Sequence, residues 1–126
     1  MSKVITIISK EVGKESKEES FVHSLENMQK KVGGSLDAVS LPEKITMWVH
    51  DEGLLLDYSL NLIIISGVEE VAHIVGNVFF TSIDETGETV GLEQNQLDWL
   101  ENNIQLLGTV TYKDDREPND VFGLYV

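Results

Sequence analysis

The histidines are the side chains of this sequence best suited to acid–base catalysis or metal binding, and their spacing favours neither role. The three histidines, His23, His50 and His73, are separated by 27 and 23 residues. Motifs that can be read from sequence place such groups close together, as in His-x-x-x-His or a nucleophile elbow. The absence of cysteine also excludes disulfides, thiol nucleophiles and thiolate metal sites. We therefore expect no catalytic residues, no metal and no cofactor, and do not expect an enzyme.

Glycine and carboxylate patterns add no catalytic signature. Ser66-Gly67 and Gly76-Asn77 lack the Gly-x-x-x-x-Gly-Lys pattern of a phosphate-binding loop and have no base nearby. The 22 acidic residues contain many carboxylate pairs, but a glycosidase pair is defined by its geometry and not by its spacing in the chain. Catalysis would have to rest on side chains that only the tertiary structure brings together.

Charge is strongly segregated along the chain. The formal net charge is −13, and no lysine or arginine occurs between Lys44 and Lys113. This base-free segment contains eleven acidic residues, whereas the segment before it balances seven bases against seven acids. The eleven acids are Asp51, Glu52, Asp57, Glu69, Glu70, Asp84, Glu85, Glu88, Glu93, Asp98 and Glu101. Such a field repels phosphates and attracts cationic surfaces, and it speeds encounters with basic partners about 10-fold to 1000-fold at low salt.

Direct nucleic-acid binding is disfavoured for the same reason, because nucleic-acid-binding modules neutralise phosphates with clustered lysines and arginines. One basic cluster occurs, in residues 10–31, and interleaved glutamates cancel it locally. Its lysines are Lys10, Lys14, Lys17, Lys30 and Lys31. We interpret this cluster as a solvated face.

Hydrophobic periodicity near the N-terminus predicts a strand followed by a helix. The β-branched run in residues 4–9 indicates a buried strand, and the charged residues 10–20 are typical of an exposed loop. Apolar residues at intervals of four, three and four then predict a first helix over about residues 20–31, ending at Gly33-Gly34. This apolar stripe consists of Phe21, Leu25, Met28 and Val32.

The rest of the chain has mainly strand patterns. Strands are predicted over residues 36–41, 45–50, 54–58, 62–65, 74–83, 106–112 and 121–126. Connecting segments are predicted as a hairpin turn at 51–53, a turn or short helix at 67–73 and an acidic loop at 84–88. A second helix is predicted over about 93–103. The sum is an α+β fold with two helices on a mostly antiparallel sheet of about six to eight strands.

Chain length and hydropathy indicate the number of domains and the expected cellular location. A chain of 126 residues is expected to form a single domain, 1–126, around one core. The first apolar run is too short for a signal peptide, and no stretch approaches the roughly 18 apolar residues of a membrane helix. We therefore expect a cytoplasmic protein without a membrane partner.

Several stretches resemble a known family. They are Val32-Gly33-Gly34-Ser35-Leu36-Asp37-Ala38-Val39, His50-Asp51-Glu52-Gly53-Leu54-Leu55-Leu56, Leu60-Asn61, Ile74-Val75-Gly76-Asn77-Val78-Phe79-Phe80 and Gly91-Leu92-Glu93-Gln94-Asn95-Gln96-Leu97. Over roughly residues 20–104 the chain resembles a domain-of-unknown-function family of small proteins found mainly in phages, prophages and plasmids of bacteria. The resemblance implies an accessory protein of a mobile element and supplies no catalytic residues. Small non-enzymatic proteins of this setting often disarm host machinery.

Charge and resemblance together favour an acidic inhibitor that docks on a basic host protein. The target would be a protein that handles nucleic acid, such as a defence nuclease, with carboxylates in place of phosphates. Six acids of the base-free segment are the predicted partner-binding residues: Asp51, Glu52, Asp57, Asp84, Glu85 and Glu88. An alternative remains open in which the acidity only keeps the protein soluble.

A second hypothesis is a pocket protein that sequesters a small ligand, such as a nucleotide signal. Aromatic rings and amides would supply stacking and hydrogen bonds in such a pocket. The predicted ligand-binding residues are Trp48, Tyr58, Asn61, Asn77 and Phe79. An anionic ligand would also require bases, which the central segment lacks.

The C-terminal residues 121–126 are apolar to the last residue. A strand of this kind is either buried in its own sheet or added to the sheet edge of a neighbour. A homodimer with two-fold symmetry is the simplest form of the second case.

Overall fold

Ten strands and two α-helices are present in residues 3–126, the part of the chain that the structure, a computed structural model, describes. The elements are β1 (Val4–Lys10), β2 (Lys17–Val22), α1 (Leu25–Val32), β3 (Leu36–Ser40), β4 (Ile45–His50), β5 (Leu60–Ser66), β6 (Glu69–Val75), β7 (Val78–Ile83), β8 (Thr89–Val90), α2 (Gln94–Asn103), β9 (Ile104–Val110) and β10 (Asn119–Tyr125). A short 3-10 turn, Pro42–Lys44, joins β3 to β4.

The strands form two sheets. Sheet A has the order β2-β1-β7-β4-β3, with β8 beside β7, and all its pairs are antiparallel. Sheet B has the order β6-β5-β10-β9, and β10 runs parallel to β5. The predicted α+β fold with mostly antiparallel pairing is confirmed, with the strands divided between two sheets.

The main core lies between the two sheets. Ile8, Met47 and Phe80 of sheet A belong to the same buried cluster as Leu62 and Leu124 of sheet B. Successive side chains of a strand point to opposite faces, so these residues share the face of each sheet that is turned towards the other sheet. Full burial of one such side chain contributes about 1.5–3 kcal/mol.

Helix α1 covers the other face of sheet A, so that the molecule has three layers. Met28 and Val32 of α1 pack with Ile7 and Phe79 of the sheet. Ser24 caps the helix by accepting a hydrogen bond from the backbone N–H of Asn27 at 3.1 Å.

Helix α2 closes one side of the two-sheet sandwich. It begins with a capping box between Glu93 and Gln96, and its Leu100 is buried in the main core. Residues of α2 and of β1 line a common cleft, so α2 lies on the side where β1 and β9 approach each other. Neither α-helix among residues 3–126 has the length and apolar character needed to cross a membrane.

The predicted loop over residues 10–20 is confirmed only for residues 11–16, because the rest of this segment belongs to a hairpin. Lys10 extends β1, and residues 17–22 form β2, which pairs with β1 at the edge of sheet A. An edge strand tolerates charged residues because their side chains reach solvent. Helix α1 consequently begins at Leu25 rather than near residue 20, and Phe21 packs from β2.

Two predicted strand patterns are also corrected. Residues 54–57 form a turn and not the predicted strand, because their backbone groups bond locally, as Leu56 N–H does to Glu52 O at 2.9 Å. The predicted strand 74–83 is two strands in different sheets, separated at Gly76, whose φ is 75°. The predicted turn or short helix at 67–73 is largely strand β6.

The apolar C-terminus is buried in its own sheet. Strand β10 lies between β5 and β9, and its Phe122 and Leu124 belong to the main core. Of the two outcomes predicted for this segment, the structure has the first.

Candidate functional site

The six predicted partner-binding acids occupy two separate loops. Asp51, Glu52 and Asp57 lie in the connection that follows β4, whereas Asp84, Glu85 and Glu88 lie in the turn between β7 and β8. Strands β4 and β7 are antiparallel, with Trp48 beside Phe79 and Ile45 beside Ser82. The two loops therefore lie at opposite ends of sheet A, and a single small contact cannot include both.

The first loop, residues 51–57, presents three consecutive leucines to solvent and is called the leucine loop below. Leu54, Leu55 and Leu56 are 74%, 86% and 50% exposed. The loop is nevertheless held by its own backbone, since Tyr58 N–H bonds to Gly53 O at 3.2 Å.

Close contacts seat the leucine loop on sheet B. A side chain at Gly53 would approach Val75 of β6 to within 3.1 Å, so the glycine permits direct contact between loop and strand. Arg116 bonds to Asp57 O at 3.0 Å and lies 3.3 Å from its carboxylate. The Asp114 carboxylate beside Arg116 raises the pKa of the guanidinium and holds it in its charged form.

A groove of about 430 Å³ runs beside the leucine loop on the side of the sandwich opposite α2, and it is called the open-side groove. Strands β3 and β6, each at the edge of its sheet, contribute to its walls. Six of its eleven lining residues are apolar: Val39, Val49, Leu54, Leu55, Ile74 and Val75. Asp37 and Asp51 add carboxylates to this lining. An apolar centre with a charged rim is the usual anatomy of a protein interface.

In the second acidic loop, the Asp84 carboxylate is hydrogen-bonded within its own turn. Asp84 accepts hydrogen bonds from the Thr86 hydroxyl at 2.6 Å, from Thr86 N–H at 2.9 Å and from Glu88 N–H at 3.0 Å. The Thr86 hydroxyl bond, followed by the Glu88 N–H bond, lowers the pKa of the Asp84 carboxyl. Asp84 thus organises the turn.

A polar cleft of about 810 Å³ lies beside this turn. Two of its eleven lining residues, Ile83 and Val90, are apolar. Four are acidic: Glu43, Asp84, Glu85 and Glu93. Across residues 3–126 no three histidine or acidic side chains converge in a way that would hold a metal ion.

The five predicted ligand-binding residues do not share one cavity. Asn61 and Phe79 are fully buried, and Trp48 stacks on Phe79 while its indole N–H donates to Thr81 Oγ1 at 2.9 Å. Tyr58 and Asn77 do share a groove of about 340 Å³, called the lysine groove. Two bases from the N-terminal segment, Lys30 and Lys31, line the same groove.

A buried lysine between the sheets was not found from the sequence. Lys10 has no solvent exposure, and its ammonium donates to Asn61 Oδ1 at 2.8 Å and to Glu11 O at 3.0 Å. Asn61 Nδ2 in turn donates to Lys10 O and Gly76 O, both at 2.8 Å. Burial lowers the pKa of the Lys10 ammonium to about 8, against the opposing effects of Glu15 and Asp120. The two-residue period of a strand was the available signal, because residue 10 lies on the same face of the strand as the apolar Ile8, a position that favours burial.

A partly buried ion pair joins α1 to the β1–β2 hairpin. The Lys31 ammonium contacts the Glu19 carboxylate and Ser9 Oγ, the latter at 3.0 Å, and Ser9 Oγ donates to Glu19 at 2.9 Å. Partial burial is the main cause that lowers the pKa of Lys31. This cluster anchors the helix beside the lysine groove.

The three histidines lie in different surroundings. His50 ends β4, where its ring meets Tyr58 edge-on at 5.3 Å and its Nδ1 accepts from Glu52 N–H at 3.0 Å. His73 lies in β6 and not in the predicted turn, with Nε2 3.0 Å from Glu70. His23 precedes α1 rather than lying within it.

The fold and surface define a small α+β protein with two facing sheets, an acidic surface and an apolar groove. Residues 5–105 match the family described as Domain of unknown function (DUF3846). The chain belongs to this family, since the match spans most of its length. No curated protein and no solved structure matches the chain.

Proposed function

We propose that this protein is a non-enzymatic binding protein that docks through its acidic surface onto a basic protein. The main observation in support of this proposal is that all eleven acids of the base-free segment are exposed. Within residues 3–126, Asp57 alone among these eleven has a lysine or arginine within 4.0 Å. Ten carboxylates therefore lack a lysine or arginine partner of their own within the described residues.

Uncompensated surface charge acts over the distance at which partners first meet. It accelerates association with a cationic surface, and the gain falls as salt shortens the Debye length from about 30 Å at 0.01 M to about 8 Å at 0.15 M. Phosphate-bearing ligands are repelled by the same field. Once the two proteins have met, the contacts within the interface determine the dissociation rate and hence the lifetime of the complex.

The resemblance to proteins of mobile elements suggests what kind of protein the target is. A host protein that handles nucleic acid presents a basic surface shaped for phosphates, and carboxylates can occupy it. We infer an inhibitor that acts in the cytoplasm by occupying such a surface, as an antagonist of host defence.

Capture from host lysate tests the proposal. Immobilised protein should retain basic nucleic-acid-handling proteins at about 0.05 M salt and release them at about 0.5 M. A variant with Asp51, Glu52, Glu85 and Glu88 changed to Asn and Gln should lose this retention. Equal retention by both proteins would leave solubility as the role of the acidic residues.

If the protein inhibits its target by occupying the target's surface, the stoichiometry of inhibition provides a second test. The effect on a captured target should saturate at a fixed molar ratio, and mass spectrometry should recover the target chemically unaltered. Inactivation below that ratio with a covalent change would contradict the proposal and return attention to the histidines and carboxylates as catalytic groups.

One observation favours ligand sequestration as a second candidate function. The lysine groove places Lys30 and Lys31 beside Tyr58 and Asn77, which supplies the bases that the central segment lacks. Titration with ATP as the probe tests this candidate. Binding that Lys30→Glu and Tyr58→Leu each weaken at least 10-fold would support it, and absence of binding at millimolar ATP would exclude nucleoside triphosphates.

A further inference from the structure

The open-side groove combines exposed apolar side chains with a fixed backbone. Leu55 is 86% exposed, yet the turn that carries it is closed by hydrogen bonds from Leu56 N–H to Glu52 O and from Tyr58 N–H to Gly53 O. Leucines exposed on an ordered turn cost little entropy when they become buried by a partner. They also form a contiguous patch with the groove lining, and such patches mark interaction sites.

The groove is a gap in the packing of the sandwich. Helix α2 fills the side near β1 and β9 with Leu97 and Leu100, whereas no helix covers the side between β3 and β6 among residues 3–126. Val39, Val49 and Ile74 pack against the main core and also line the groove. The floor of the groove is therefore as rigid as the core beneath it.

The rim of the groove is acidic. Asp37 and Asp51 line it, and Glu52 follows directly in the leucine loop. Asp37, Asp51 and Glu52 have no lysine or arginine within 4.0 Å in the described part of the chain, whereas Arg116 lies against Asp57. A second copy of the chain would bring another set of these acids to the same place, so a two-fold contact here repels itself.

We propose that the open-side groove binds a segment of the basic partner in which apolar and basic side chains occur together. The apolar side chains pack between the leucine loop and the groove floor, and the lysines or arginines pair with the rim acids. The inference rests on the proposed function and assigns its contact to one surface. It also removes the turn at residues 84–88 from that contact.

Labelled peptides of defined sequence provide the test. The probes are an alternating Arg-Leu peptide, an Arg-Ser peptide of equal length and charge, and a Glu-Leu peptide of opposite charge. Fluorescence anisotropy with the full chain at about 0.05 M salt measures binding. The variants are Leu55→Ser and the pair Asp51→Asn with Glu52→Gln. Val68→Ser is the matched control, because Val68 is 99% exposed in the β5–β6 turn outside the groove.

The proposal predicts that Arg-Leu binds at least 10-fold more tightly than Arg-Ser and that Glu-Leu does not bind. Leu55→Ser should weaken Arg-Leu binding about 10-fold or more, since a buried leucine is worth at least a factor of ten in affinity. The variant with Asp51→Asn and Glu52→Gln should also bind Arg-Leu more weakly than the wild type, and its binding should depend less on salt. Val68→Ser should leave it unchanged.

Three results would overturn the proposal in different ways. Equal binding of Arg-Leu and Arg-Ser, unaffected by Leu55→Ser, would keep the acidic binding function and reject the groove. Failure of both basic peptides to bind at low salt would count against the proposed function as well. A dimer in light scattering that Leu55→Ser dissociates would assign the groove to a second copy of the chain.

Discussion

The leucine loop and the β7–β8 turn are both acidic and exposed, yet their carboxylates lie in different surroundings. In the turn, Asp84 accepts hydrogen bonds from Thr86 and Glu88, and the adjoining cleft is mostly polar. In the leucine loop, the acids flank three exposed leucines beside a groove with mostly apolar lining. Exposed charge steers encounters, whereas apolar contacts that become buried hold a complex together. The leucine loop has exposed charge and also exposed apolar side chains that a partner would bury.

The largest effect on stability is expected from the buried side chain of Asn61, which lies outside both loops. Asn61→Leu removes the amide that pairs with the Lys10 ammonium and with the carbonyls of Lys10 and Gly76. We expect a loss of about 3–5 kcal/mol in the free energy of unfolding, because the substitution removes three buried hydrogen bonds and leaving a buried polar group unpaired costs about 1–3 kcal/mol. Urea unfolding measures this loss.

Asn77→Leu is the control for that substitution. Exposed Asn77 accepts one bond from Val12 N–H, and its loss should cost only about 0.5–1.5 kcal/mol. Equal losses in the two variants would contradict a special role for the buried pair.

Lys10 itself predicts an unusual dependence of stability on pH. Its pKa is about 8 in the folded protein and 10.5 as its ordinary value. Below pH 8 both states are protonated and the full cost of burying the charge is present. As pH rises from about 8 towards 10.5, the folded state releases a proton that the unfolded state keeps, so stability should rise, by about 3 kcal/mol over the full interval.

Unfolding free energies measured between about pH 7.5 and 9.5 check this prediction. Lys10→Met should remove most of the rise, because methionine fills similar space without a titrating group. A wild-type free energy that stays level or falls over this range would show that Lys10 does not lose its proton there.

Charge reversal in each loop tests whether the leucine loop and the β7–β8 turn contribute differently to binding. Asp51→Lys with Glu52→Lys should weaken binding to a basic partner by about 1–3 kcal/mol. Glu85→Lys with Glu88→Lys changes the net charge equally and should slow association without shortening the lifetime of the complex. Surface plasmon resonance separates these two rates. Equal effects on the dissociation rate would place both loops in the contact.

The smallest expected effect belongs to the turn. Asp84→Asn should lower the melting temperature slightly at pH 7, since the charged carboxylate accepts three hydrogen bonds. The folded pKa of Asp84 lies below 3.8, so this contribution is present above that pH and is lost as pH falls through the folded value. Calorimetry should show the two proteins converging in acid; a constant difference would mean that the hydroxyl and amide bonds do not depend on charge.

Local patterns predicted most elements but could not divide them between sheets. The β4 boundaries agree with the prediction, and α2 begins one residue later than expected, because periodicity is a local property. The parallel pairing of β10 with β5 joins residues about 60 apart in the chain, which no local pattern encodes. Charged β2 looked like a loop because an edge strand needs only one apolar face.

The site was predicted in part for a similar reason. The sequence predicts a hairpin turn at 51–53 that contains Asp51 and Glu52, but it predicts a strand for the leucines that follow. In a strand, three adjacent leucines would place apolar side chains on both faces, whereas a half-buried strand alternates apolar with polar residues; this was the available signal that they do not form one. The groove itself is formed by β3 and β6, which come together only in the folded chain.

Hydrogen exchange of the full chain with and without the Arg-Leu peptide at low salt would locate the docking surface. Binding should protect the backbone amides of the leucine loop and of residues 73–75 in β6, and it should leave those of residues 84–88 unchanged. Protection confined to residues 84–88 would contradict the claim that the leucine loop and the open-side groove form the docking surface.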